Sequence, residues 1–290
     1  MADMILRDKV SVVTGAGRGI GRAIALSLAA EGSKVVVNAL RQSDGYADAT
    51  AKEIISRGGQ AIACYADVSD FEQAKKLVQA AVDAYGKIDI LVNNAGITGW
   101  RMPWDMPEED WDKVISANLK GTFNCTRHAC GLMKEQRWGR IINCTSGSWI
   151  SRAGACHYAA AKAGIVGFTR AVAIDLAEFG VTCNAYAPYA RTDMSSPRTL
   201  QMFEQTYKLG KIDREEYEWG MNPPGPEGVG PFIAYLASDR SSSISGKVFY
   251  VSGGKIALYS EPVRRKTIFK KEGIWSVSEL IDQVPELLSV

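Results

Sequence analysis

Short apolar runs alternate with amphipathic stretches along most of this chain, and that order constrains the fold more than any other feature. Runs at residues 9–14, 34–38, 61–66, 88–92, 140–144, 181–187 and 247–251 read as strands. Between them, 20–31, 48–57, 71–85, a long stretch at 108–136, 158–179 and 228–237 carry helical patterning. Apolar strands separated by helices make a parallel sheet covered on both faces, so an α/β doubly wound domain is expected. The chain has 290 residues, 46% of them hydrophobic and 23% charged, which is ample for one core. One domain over 1–254 is expected, followed by a C-terminal extension over 255–290.

The first strand runs into Thr14-Gly15-Ala16-Gly17-Arg18-Gly19-Ile20-Gly21, where the first helix-like stretch of residues begins. A glycine turn between a strand and a helix is the setting in which such a motif binds a dinucleotide. Gly15, Gly19 and Gly21 let the backbone approach a pyrophosphate, and the helix that opens at Ile20 offers its positive end. The end of the second strand reads Asn38-Ala39-Leu40-Arg41, with no carboxylate for a ribose 2′-hydroxyl. Arg18 and Arg41 are candidate partners of a 2′-phosphate, so NADP(H) is preferred and NAD(H) is the alternative. Asp67-Val68 follows the third strand and either contacts the adenine or, through Asp67, caps the helix beginning near Ser69.

Tyr158 and Lys162 stand four apart, with Ser146 twelve residues upstream. Positions i and i+4 share a helix face, so the Lys162 ammonium is expected beside the Tyr158 phenol, where its charge favours the ionised form. Together with the glycine turn, this points to a redox enzyme. Ser148 competes with Ser146, but Ser146 directly follows the strand end.

A net charge of +2 is too mild for nucleic acid. No apolar run approaches the roughly 20 residues that cross a bilayer, and Met1-Ala2-Asp3-Met4 lacks the regions of a signal peptide, so a cytoplasmic protein with no membrane contact is expected. The six cysteines form no C-x-x-C pair, and the two histidines, His128 and His157, have no matching carboxylate cluster, so no metal is expected.

These residues resemble the short-chain dehydrogenase/reductase family over about 7–254. The resemblance rests on Thr14 to Gly21, Asn93-Asn94-Ala95-Gly96, Asn118, Ser146 and Tyr158-x-x-x-Lys162, in that order. It implies a Rossmann-type fold, a homodimer or homotetramer, and a catalytic tetrad of Asn118, Ser146, Tyr158 and Lys162. Asn94, Ala95 and Gly96 would then contact the cofactor, while Asn93 braces the sheet. Ser146 would hold the substrate oxygen and Tyr158 would move its proton. Lys162 would bond the nicotinamide ribose, and Asn118 would hold a water that relays protons to Lys162.

After the sixth strand the chain reads Asn184-Ala185-Tyr186-Ala187-Pro188-Tyr189-Ala190-Arg191-Thr192, with Tyr189 where many relatives have glycine. The pattern is similar to the hydroxyacyl-CoA dehydrogenase branch, which implies that Pro188 and Thr192 line the nicotinamide end and that Thr192 bonds the carboxamide. That branch often carries an aspartate where this chain has Ala39. Residues 195–226, with Met202, Phe203, Tyr207, Tyr217, Trp219 and Met221, read as a substrate lid. Trp100, Met102, Trp104 and Trp149 are expected near the active-site mouth. The substrate is expected to be a small-molecule apolar alcohol or ketone, either an acyl thioester or a bulky cyclic alcohol such as a hydroxysteroid. In the extension, a strand at 266–270 and a helix at 278–288, kinked or ended near Pro285, are expected. Arg264, Arg265, Lys266, Lys270 and Lys271 there either meet coenzyme A phosphates or form a solvated surface.

Overall fold

A computed structural model describes residues 4–150, 154–192, 197–210 and 212–288. The start of the expected lid and the side chain of Met202 lie outside the described residues. The chain divides into two units, Met1–Leu258 and Tyr259–Val290.

In the first unit, β1 (Val10–Val13), β2 (Lys34–Ala39) and β3 (Gln60–Tyr65) alternate with α1 (Gly19–Ala30) and α2 (Tyr46–Ser56). α3 (Phe71–Tyr85) leads to β4 (Ile90–Asn93), and α4 (Glu108–Ile115) and α5 (Gly121–Gln136) lead to β5 (Gly139–Cys144). α6 (Cys156–Asp175) precedes β6 (Val181–Pro188). Two helices, α7 (Pro197–Lys208) and α8 (Arg214–Met221), then precede α9 (Gly230–Leu236), β7 (Val248–Ser252) and β8 (Lys255–Leu258). The sheet order is β3-β2-β1-β4-β5-β6-β7-β8, parallel except for β8. This is a Rossmann-type doubly wound sheet whose strand order reverses between β1 and β4. Ile24, Leu28, Ile54 and Ile233 cover one face. Leu77, Val78, Ala129 and Met133 cover the other. No helix among the described residues is long and apolar enough to cross a membrane.

Two expectations in this unit change. The helix expected over 108–136 is broken by a π turn at Ser116–Lys120. Asn118 Nδ2 donates to the Val114 carbonyl at 2.8 Å, taking the acceptor that a regular helix would give to the Asn118 backbone N–H. Helix α3 starts at Phe71 and is capped by Asp70, whose side chain accepts the Gln73 N–H, so Asp67 is not its cap. The Asp67 carboxylate instead accepts the Ser69 backbone N–H and hydroxyl at 2.9 and 2.7 Å, closing a local turn.

The first unit extends past Gly253-Gly254 because β8 folds back antiparallel on β7, pairing Ser252 with Lys255 and Phe249 with Leu258. In the second unit, residues 266–270 form no strand. Lys270 instead donates to the Glu279 carboxylate at 2.6 Å and to the Ile274 carbonyl at 2.8 Å. These bonds, with those from Ser276, hold the Glu279 carboxyl down at about 2. A single helix, α10 (Val277–Leu288), runs through Pro285.

Candidate functional site

The carboxyl ends of β1 to β6 open onto one cleft of about 1050 Å³. Its place at the strand-order reversal is where doubly wound sheets bind ligands. Gly15, Arg18, Gly19, Ile20 and Gly21 line it from the first turn; Asn38, Arg41, Asp67 and Val68 from the ends of β2 and β3. Asn94, Ala95, Gly96 and Asn118 form its middle, and Ser146, Tyr158, Lys162, Pro188 and Thr192 its far wall. Each residue expected to act in catalysis or to hold the cofactor therefore borders the same cavity.

The glycine turn is locked from beneath. Thr14 Oγ1 accepts the backbone N–H groups of Asn94 and Ala95, both at 2.9 Å. Asn94 Nδ2 donates to the carbonyls of Thr14 and Gly15 at 3.0 and 3.3 Å. A Cβ at Gly21 would lie 2.3 Å from the Gly15 carbonyl oxygen and 2.5 Å from Asn94 Nδ2, so only glycine fits there. Asn38 borders the cleft, but its amide faces the protein. Its Oδ1 accepts the Gly15 N–H at 3.2 Å, and its Nδ2 donates to the Cys64 and Ala66 carbonyls at 3.2 and 3.1 Å. Asn38 thus shapes the turn rather than offering a donor to a ribose.

Beyond Asn38, the sequence reading missed two residues on this wall. Tyr46 packs against the Arg18 guanidinium, 5.6 Å from the ring centre. Asp44, at the end of a short 3₁₀ turn, also lines the cleft, as Arg41 does. It escaped notice because it lies beyond the strand end, and only the fold of the turn carries it back.

At the other end, Tyr158 is buried beside Val114, Ala155 and Ala161. The Lys162 ammonium lies 5.5 Å from the Tyr158 ring centre and donates to the Cys144 carbonyl at 2.8 Å. Thr145 Oγ1 donates to the Lys162 carbonyl at 2.8 Å, tying α6 to the end of β5. Ser146 caps a 3₁₀ turn: its Oγ accepts the Ser148 N–H and donates to Ser148 Oγ, both at 3.2 Å. Asn118 is fully buried, with Nδ2 donating to Val114 and Ile97 carbonyls. Its Oδ1 has no hydrogen-bond partner.

The expected lid divides. Pro197, Leu200 and Met221 reach the cleft, joined by Pro223. Tyr207 and Tyr217 instead stack on each other at 4.5 Å, joining α7 to α8. Trp100 and Met102 border a separate shallow hollow of about 400 Å³ with Gly154, while Trp104 and Trp149 line neither cavity.

A family model described as short chain dehydrogenase matches residues 9–202. The 3-oxoacyl-[acyl-carrier-protein] reductase of Synechocystis sp. is 43% identical over 254 residues, covering 87% of this chain and 98% of that protein. The (2S)-[(R)-hydroxy(phenyl)methyl]succinyl-CoA dehydrogenase subunit BbsD of Thauera aromatica is 37% identical over 259 residues, covering 87% and 98%. A crystal structure of a short chain dehydrogenase from Mycobacterium avium superimposes with a TM-score of 0.84 at 38% identity, covering 98% of this chain and 96% of that one. With a match of this extent over the sheet and the cleft, the chain belongs to the short-chain dehydrogenase family of NAD(P)-dependent oxidoreductases.

Proposed function

We propose that this chain interconverts 3-hydroxyacyl and 3-oxoacyl thioesters with NADP(H). The observation that carries the reading is the single cleft that joins Arg18 and Arg41 at one end to Ser146, Tyr158 and Lys162 at the other. The relatives add support, since one is named for a 3-oxoacyl thioester of a carrier protein and another for a coenzyme A thioester. The residues fit a dinucleotide: a locked glycine turn, a helix N-terminus at Gly19, and a cavity at the upper end of ligand-site volumes. When bound, the nicotinamide gives a hydride to the substrate carbon or takes one from it.

The protein's own groups do the rest. Ser146 Oγ would turn its hydrogen from Ser148 to the substrate oxygen. Tyr158 would donate a proton to that oxygen in reduction and take it back in oxidation. The Lys162 ammonium would bond the ribose and stabilise the Tyr158 oxygen as its proton leaves. The unpartnered Asn118 Oδ1 would hold the water that returns a proton to Lys162. Gly15, Ile20, Val68, Ala95 and Gly96 would hold the dinucleotide by main chain and surface, and Pro188 with Thr192 would hold the carboxamide.

Arg18 and Arg41 support NADP(H), while Asp44 on the same wall supports NAD(H) as the second reading. We also read the protein as a cytoplasmic homodimer or homotetramer. All six cysteines are unpaired, and Phe71 and Phe123, 6.4 Å apart, are left exposed on the helical face.

Nicotinamide absorbance with acetoacetyl-CoA and, separately, a ketosteroid tests this. NADPH oxidation with the thioester is expected, with Tyr158→Phe lowering kcat by about 10²–10⁴. Arg41→Ala should raise the KM for NADPH about tenfold and leave NADH unchanged. Turnover of the ketosteroid alone would replace the thioester, aided by the apolar Pro197, Leu200 and Met221 wall. Cofactor binding with Tyr158→Phe as active as wild type would make the chain a non-catalytic sensor.

A further inference from the structure

Tyr189 stands at the hinge between the cofactor end of the cleft and its apolar wall. Its main chain belongs to the sheet: the N–H donates to the Val251 carbonyl at 3.0 Å, and its carbonyl accepts the Ser252 hydroxyl at 2.7 Å. Its side chain belongs to the two helices. The hydroxyl donates to the Gly220 carbonyl in α8 at 2.5 Å, and the ring lies 5.4 Å from Phe203 in α7. Phe203 in turn packs directly on the Gly220 main chain. Tyr189 therefore fastens both helices to the end of β6, whose last residues, Ala187 and Pro188, pair with β7.

The neighbours of these contacts are cleft-lining residues. Gly220 precedes Met221, and Phe203 shares its helix with Pro197 and Leu200. Tyr189 itself lies between Pro188 and Thr192, on the wall proposed for the carboxamide. A glycine at this position would keep both main-chain bonds and lose the two side-chain links, to Gly220 and to Phe203.

We propose that Tyr189 is a positioning residue that sets the distance of the α7–α8 wall from the reacting end of the cleft, and so tunes affinity for the acyl part of the substrate. The proposal rests on the thioester reading only for the choice of substrate. Burial pushes the Tyr189 phenol up to about 12, so its hydrogen is present at any assay pH. A second anchor, Trp219 Nε1 to Ser252 Oγ at 2.9 Å, remains when the hydroxyl is removed, so Tyr189→Phe should fold.

The test pairs hydrogen exchange with kinetics on Tyr189→Phe and Tyr189→Gly. Losing one net hydrogen bond shifts the local opening equilibrium about fivefold, so amides in 197–222 should exchange about fivefold faster in Tyr189→Phe, and faster still in Tyr189→Gly. The KM for acetoacetyl-CoA should rise about fivefold, with kcat and the NADPH Kd each within about twofold. Unchanged exchange in 197–222 in both variants would overturn the proposal. So would an NADPH Kd that weakens as much as KM, which would assign Tyr189 to the cofactor. If wild type does not reduce acetoacetyl-CoA, the substrate reading fails by itself and the exchange arm still decides Tyr189.

Discussion

The Tyr186 hydroxyl is buried under the cofactor end of the cleft and donates to Asn94 Oδ1 at 3.1 Å. Both Asn94 amide hydrogens are held by the glycine turn, so the oxygen can only face Tyr186. Burial pushes the Tyr186 phenol far up, which keeps it a donor. Tyr186→Phe should leave the sheet intact and leave Asn94 Oδ1 without its donor, weakening the hold of Asn94 on the glycine turn. A hydrogen bond of about 1 kcal/mol lost there should weaken NADPH about fivefold in a fluorescence titration. Unaltered affinity would mean that Thr14 holds the turn unaided. Tyr158 and Lys162 stood out because positions i and i+4 share a helix face, whereas Asn118 and the grouping of all four as a tetrad came from the family resemblance. Tyr186 did not stand out, since its partner is 92 positions away and only the sheet brings them together. Asn38 lines the cleft from a strand end, but its amide nitrogen is taken by the Cys64 and Ala66 carbonyls, which the sequence could not show.

At the scale of elements, the π turn carries the most consequence, since it sets Asn118 in the middle of the cleft wall. Gly96 gives it room: a Cβ there would lie 2.3 Å from Asn118 Oδ1 and 3.5 Å from Lys162 Nζ. Gly96→Ala should push the Asn118 amide off its position while the distant core stays packed. Displacement by about 1 Å near reacting groups costs up to about 10² in rate, so a fall in kcat of at least about tenfold is expected in steady-state assays. A kcat within twofold of wild type would show that Asn118 has no part in proton movement. Hydrophobic periodicity could place 108–136 on a helix but could not see a side chain taking the Val114 carbonyl. It misjudged 266–270 for a related reason: a strand needs an edge to pair with, which alternation does not supply. β8 went unseen because it is four residues long and depends on the turn at Gly253, where φ is +56°.

For the whole molecule, the interior makes the fold sensitive to alkali. Cys125 in α5 and Cys183 in β6 are fully buried between sheet and helices. Burial pushes the Cys125 thiol up to about 12 and the Cys183 thiol well up, from an ordinary value of 9.0. Composition alone gives six cysteines; the layer packing decides which of them water never reaches. Above pH 9 the unfolded chain releases these protons and the folded chain keeps them, so the unfolded state binds fewer protons and stability falls as pH rises. At pH 10 the two thiols together cost on the order of 3 kcal/mol. A chain of this size loses roughly 2–4 °C in Tm per kcal/mol, so Tm should fall by roughly 5–10 °C between pH 8 and pH 10 in calorimetry. Replacing both thiols with alanine should lower Tm at every pH through the cavities left behind, yet reduce its slope with pH. A double variant that keeps the full alkaline slope would move the cause to the buried tyrosines, Tyr186 first, whose phenol burial also holds protonated.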